Sequence, residues 1–171
     1  MLGHFSAKKA ALLALFIVII VSGGFWYGLG KGETGHSIIR FSTYNTPLAA
    51  TPAVIINGLK IPVEVRRTPA EHEAGLSGRA ELPAGTGMLF VFNRLAYHRF
   101  WMPDMNFPID IVWIEGGRVV GIAPEASNDF DPRNPVYYRP PAPVEYVLEV
   151  NAGFMSKHSL GPGDEVTFDN I

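Results

Sequence analysis

From Ala10 to Gly30 the chain reads AALLALFIVIIVSGGFWYGLG, 21 residues without a charge. At about 1.5 Å per residue, such a helix spans a hydrocarbon core of about 30 Å. Lys8 and Lys9 precede the run, and only Lys31 and Glu33 follow it closely. The positive-inside bias then places residues 1–9 in the cytoplasm, 10–30 in the membrane as a single-pass anchor, and the rest outside the cell membrane. Phe25, Trp26 and Tyr27 stand near the outer end, where aromatic rings suit the interface. The alternative is a cleaved signal peptide, giving a secreted product. Ala10–Val21 would be its apolar region and Ser22-Gly23-Gly24 its small-residue cleavage site. Bulky side chains directly after that site favour the uncleaved anchor. A buried helix of a soluble protein fits neither the length nor the lysine flanks.

Residues 31–52 are small and polar, with Pro47 and Pro52, and read as a flexible tether. Residues 53–171 have the size of one compact domain. This part holds ten Lys/Arg against fifteen Asp/Glu, and the whole chain carries −2 with no block of like charge. That balance gives no electrostatic case for a nucleic-acid partner. Gly 18 and Pro 14 together make about a fifth of the 171 residues, against roughly 12% in average proteins, so turns are dense and a helical bundle is disfavoured. The absence of cysteine removes disulfides, thiolate nucleophiles and cysteine-ligated zinc.

Leu59, Ile61, Val63 and Val65 alternate with polar residues or Pro62, a half-buried strand that Pro62 marks as an edge. Thr68-Pro69-Ala70-Glu71 predicts a helix start with a capping box. Further strands are expected at Met88–Phe92, Arg99–Met102, Ile109–Ile114, Arg118–Ile122, around Tyr146–Val150 and at Val166–Phe168. Glu115-Gly116-Gly117 should turn a hairpin, and Asn151–Leu160 should form a second short helix. The expected fold is mainly β: a compact antiparallel sandwich or squashed barrel with two short helices, behind the transmembrane helix.

The segment Phe100–Asp110, FWMPDMNFPID, is densest in chemistry. Asp110 shares a strand face with Val112 and Ile114, which predicts a desolvated carboxylate. It is either a ligand-binding or acid/base group, or a structural aspartate accepting backbone N–H bonds. Trp101 can stack on a planar ligand, and Asp104 and Asn106 would stand at a pocket mouth. Glu149 and Asn151 share a second strand face; Asn151 could equally cap the following helix. Glu149 with Asp110 would make a carboxylate pair of the kind glycosidases use. Arg79 is a candidate bidentate partner for a buried carboxylate, or a solvated turn residue. His72, His98 and His158 have no metal-ligand spacing, so no metal site is expected. Ser77 lacks a nucleophile-elbow context, and neither a phosphate loop nor a dinucleotide fingerprint is present, so no cofactor is expected.

The runs TPAEHEAGLSGRAELPAGTGMLFVF, FWMPDMNFPIDIVWIEGGRVVGI, YVLEVNAGF and LGPGDEV closely resemble the "domain of unknown function 192" family, over roughly Leu59–Phe168. The resemblance implies a compact, mainly β domain, often behind a signal or membrane segment, and implies no activity. Phe100, Trp101, Met102, Pro108, Asp110, Glu149, Asn151, Ala152, Gly153, Gly161 and Asp164 match the family pattern. Pro103, Asp104 and Met105 replace its usual lysine, asparagine and threonine, and Ser77 stands where methionine is common.

The leading expectation is a membrane-anchored extracytoplasmic binding module for a small molecule, a glycan or an envelope protein. Its ligand-binding residues would be Trp101, Asp104, Asp110, Glu149, Asn151 and Arg79. Two alternatives stay open: an envelope hydrolase using Asp110 and Glu149, and a purely structural domain.

Overall fold

The computed structural model describes residues 50–171. The expected membrane span, the cytoplasmic N-terminus and most of the tether lie outside the described residues. Among those described, no helix is long and apolar enough to cross a membrane.

Seven strands form one sheet: β1 (Ala53–Ile56), β2 (Leu59–Arg66), β3 (Gly87–Ala96), β4 (Ile109–Glu115), β5 (Arg118–Ala126), β6 (Val144–Asn151) and β7 (Val166–Asp169). Their order across the sheet is β5-β4-β6-β3-β2-β1-β7. Two short helices accompany them, α1 (Pro69–Ala74) and α2 (Phe154–Lys157). The sheet curls until its outer strands meet. Val119 N donates to Asp164 O at 3.0 Å, Gly163 N to Val119 O at 2.7 Å and Val166 N to Gly117 O at 2.8 Å. The Asp164 carboxylate holds the turn before this seam by accepting from Gly161 N at 2.7 Å. The architecture is thus one curled sheet rather than a two-sheet sandwich, and β2 pairs with β3 in parallel rather than antiparallel.

Two hairpins shape the curl. Gly116 and Gly117 both hold positive φ (57° and 70°) between the paired Glu115 and Arg118, the two-residue turn that matches strand twist. Asn57-Gly58 does the same between β1 and β2, with φ of 47° and 82°. That Asn-Gly pair, flanked by apolar runs, was the available signal for β1, which the periodicity reading did not resolve as a strand. Pro62 is not on an edge strand. Val63 N donates toward β1, to Pro52 O, so the missing Pro62 N–H belongs to the β3 side, where pairing begins only at Val63.

α1 begins as expected. Thr68 accepts from Glu71 N, and the Glu71 side chain accepts from the Thr68 and Arg67 amides. Those bonds pull the Glu71 pKa down to about 2. Arg99–Met102 forms only an isolated bridge, Phe100 with Tyr138. Asn151 ends β6, so α2 is shorter than the sequence suggests.

Strand alternation gives the sheet two apolar faces. The inner one takes residues from all seven strands, among them Val54, Ile61, Leu89, Val112, Val119, Leu148 and Val166. The outer one, built on Met88, Phe90, Ile109, Ile111, Trp113 and Val147, is covered by Leu76, Leu82, Met102 and Met105 from the loops. β3 and β6 approach so closely at Gly87 that an added Cβ would lie 2.8 Å from Glu149 O and 2.9 Å from Leu148 Cδ1. Gly87→Ala is therefore expected to destabilise by about 1–3 kcal/mol through backbone displacement, read as a lower midpoint in thermal or urea unfolding.

Candidate functional site

β4 and β6 pair with Asp110 opposite Val150 and Ile111 opposite Glu149. Successive side chains on a strand point to opposite faces, so Glu149 goes outward with Ile111 and Asp110 inward with Val150. The two carboxylates expected as an acid/base pair are separated by the sheet itself. They cannot flank one scissile bond, which removes the glycosidase-type pair.

Asp110 is 1% exposed and fully engaged. Its Oδ1 accepts from Glu125 N at 2.9 Å and Gly153 N at 3.0 Å, and its Oδ2 from Met155 N at 3.0 Å. It thereby ties the end of β5 and the start of α2 to β4. Gly153, the α2 N-cap, offers no side-chain acceptor, and Asp110 supplies one from a neighbouring strand. Asp110 is absent from the lining of the cavity at Glu149. Asn151 caps no helix. Its Nδ2 donates to Leu82 O at 2.9 Å and holds the 82–83 loop against the sheet. Arg79 meets no buried carboxylate either; it forks onto half-exposed Glu64 at 2.6 and 2.7 Å. That guanidinium holds the Glu64 carboxyl below its ordinary range.

The remaining predicted residues converge. Trp101, Asp104 and Glu149 line one cavity of about 390 Å³, together with α1, the 75–77 turn, Phe90 and Phe92 of β3, and the 98–105 loop. Three hydrogen bonds fasten that loop to the turn before β3. Ser77 Oγ donates to Pro103 O at 2.9 Å, Gly78 N to Asp104 O at 2.8 Å and Asn106 Nδ2 to Arg79 O at 2.8 Å. Ser77 is thus occupied in bracing the wall. Rings form much of that wall: Phe100 lies edge-on to Phe90 at 5.1 Å, and His98 stacks on Phe92 at 3.6 Å. His72 packs on the same Phe92 at 4.5 Å. At the mouth, half-exposed Trp101 stacks on Tyr137 with centroids 5.9 Å apart.

Glu149 is the exception in this apolar setting. It is 6% exposed, and its strand neighbours are Met88 and Ile111, both fully buried. Desolvation pushes its pKa up to about 8, with no opposing hydrogen bond or ion pair. Among the described residues, the fully enclosed side-chain polar atom without a partner is Trp113 Nε1. The Glu149 carboxyl, equally unpartnered, therefore still meets the open volume of the cavity. His98 is shifted the other way: burial lowers its pKa. No group of three or more His, Asp or Glu poised to hold a metal occurs among the described residues.

The model of the family DUF192, Uncharacterized ACR, matches residues 53–168. The chain belongs to the DUF192 family. Among functionally curated proteins none matches it. A crystal structure of a protein of unknown function from Novosphingobium aromaticivorans is similar at 32% identity and a TM-score of 0.61, covering 67% of this chain and 83% of that one. A second, from Sinorhizobium meliloti and named as a candidate transcription regulator, is similar at 27% identity and a TM-score of 0.62, covering 71% and 94%.

The DUF192 motifs now divide by role. Pro108, Asp110, Asn151, Gly153, Gly161 and Asp164 sit in the turns and crosslinks of the curled sheet. Phe100, Trp101, Met102 and Glu149 meet at the cavity. Sequence reasoning missed His72, Phe92, His98 and Met105 as cavity residues. The signal for His72 was its place on α1, directly after the capping-box Glu71; Phe92 and Met105 looked like ordinary core.

The two buried carboxylates predict opposite responses. Asp110→Ala strands three backbone donors and should cost at least about 3 kcal/mol in urea unfolding. Glu149 loses its proton near 4.5 when unfolded but near 8 when folded. Between those values the folded chain holds the extra proton, so stability is full below 4.5 and falls by about 1.4 kcal/mol per pH unit until it levels off above 8. Glu149→Gln should remove that slope. His98 acts in the opposite sense below 6.5, so the difference between wild type and variant at each pH is the readout.

Proposed function

We propose that this DUF192 chain is a binding module, carried outside the membrane by residues 10–30, whose cavity receives one small molecule. The observation that carries this reading is Glu149: a carboxyl almost removed from water, unpartnered among the described residues, and open to about 390 Å³ of ring-walled space. Burying such a group without a partner opposes folding, and a ligand group that pairs with it relieves the penalty. The volume falls within the range of small-ligand sites. Trp101 at the mouth is backed by Tyr137 on one side and stays half-exposed, which leaves indole surface for a planar ligand.

Binding is favoured over hydrolysis because the acid/base pair is split by the sheet. The nearby hydroxyl and rings are also committed elsewhere. Ser77 Oγ bonds Pro103 O, and the Nε2 atoms of His72 and His98 bond the carbonyls of Arg66 and Arg94. The name of the Sinorhizobium relative does not draw this chain toward nucleic acid, since residues 53–171 carry more acid than base.

Glu149→Leu tests the reading. A group kept for a ligand is replaced at a gain to the fold, so the variant should melt several degrees above wild type at pH 8. A small aromatic compound at ten times its Kd should stabilise wild type by about 1.4 kcal/mol and leave the variant's melting unmoved. A variant that melts lower at every pH, or a wild type that no compound shifts, overturns the proposal. In cell fractions the intact chain should sediment with membranes; recovery in the cytosol overturns the anchoring part.

A further inference from the structure

We propose that the cavity is built for an organic cation, an amine carried on an apolar or aromatic body, with the Glu149 carboxylate as its counter-ion. This rests on the small-molecule reading above and names the ligand's charge. Three features of the lining point the same way.

The first is the charge that faces Glu149. From α1 come His72 and Glu73, and from the 98–105 loop His98, Arg99 and Asp104. The flanking residues of β3 and β4, Met88 and Ile111, carry no charge, and the lining residues of the 75–77 turn add none. Three carboxyl groups thus oppose one guanidinium. That guanidinium is drawn aside, with the Arg99 Cζ 5.0 Å from the Tyr137 ring centroid. An anionic ligand would meet an acidic wall with little to answer it.

The second feature is the rings. Phe90, Phe92 and Phe100 meet edge-to-face, with Phe100 5.1 Å from Phe90 and 6.4 Å from Phe92. Ring faces carry negative potential and attract ammonium groups, and Trp101 adds the strongest such face at the mouth. The third is Met102 and Met105, whose polarizable thioethers accept an apolar body without demanding one shape. A primary ammonium set among these groups would give Glu149 both the charge and the hydrogen-bond donors it lacks. Raised as its pKa is, Glu149 must ionise to form that pair, so binding releases a proton.

The test is a charge series on one ring, with the full chain: benzylammonium, benzyltrimethylammonium, benzyl alcohol and benzoate, measured by titration calorimetry. Benzylammonium and its trimethyl analogue should bind, tightening about 25-fold from pH 6.5 to pH 8.5 as Glu149 ionises. Heats in buffers of different ionisation enthalpy should give close to one proton released per ligand at pH 7. Glu149→Gln should lose both the tightening and the proton, while Asp110→Asn, measured on its folded fraction, keeps them. Equal or tighter binding of benzyl alcohol or benzoate, or affinity that falls as pH rises, overturns the cation assignment and leaves the small-molecule reading standing. If no member of the series binds at millimolar concentration, both are overturned.

Discussion

The register between β4 and β6 decides where the two buried acidic residues of this domain point. With Ile111 opposite Glu149, alternation sends the two carboxyl groups to opposite faces of the sheet. A slip of one residue would flip one strand against the other and put both on the same face. If β4 moved, Asp110 would lose the amides of Glu125, Gly153 and Met155; if β6 moved, Glu149 would point into an apolar interior drawn from all seven strands. The pairing is held by what surrounds it: fully buried aliphatic residues on both strands, and the close approach of β6 to β3 at Gly87.

That register separates structure from chemistry with little overlap. The inner acid satisfies donors that a four-residue helix and a strand end would otherwise leave bare. Charge-assisted bonds to main-chain amides suit this task because they fix direction as well as strength. The outer acid has the reverse character, with burial and no answering donor among the described residues. The loops that enclose it are cross-tied by Ser77 Oγ, Gly78 N and Asn106 Nδ2 to main-chain carbonyls, and these bonds hold the cavity's wall in shape.

Much of the fold was legible in the sequence. Period-2 alternation located β2 and β6, and the runs on either side of Gly116-Gly117 located β4 and β5. The capping box marked α1, and two glycines marked the β4–β5 turn. The sequence also placed Asp110 on the face of Val112 and Ile114, where it lies. What local pattern could not give was the partner strand. Whether Asp110 and Glu149 share a face depends on pairing across 39 positions of chain, and no local period encodes that. Arg79 shows the same limit. The sequence marked it as a fork for a carboxylate, and the fork exists, but the partner is half-exposed Glu64 from β2. Arg99–Met102 looked like a strand because aromatic residues favour strands; its rings instead cover the outer face and the cavity mouth from a loop.

The seam that joins residues 117–119 to 163–166 bears on how copies of this domain meet. Open sheets expose rows of bare amides and carbonyls at their margins, and neighbouring chains can extend them by adding strands. Here the hairpin end of one margin is bonded to the start of the other, so that corner offers no template for such growth. Contact there between crowded copies would fall to side chains, and on an acidic domain those repel.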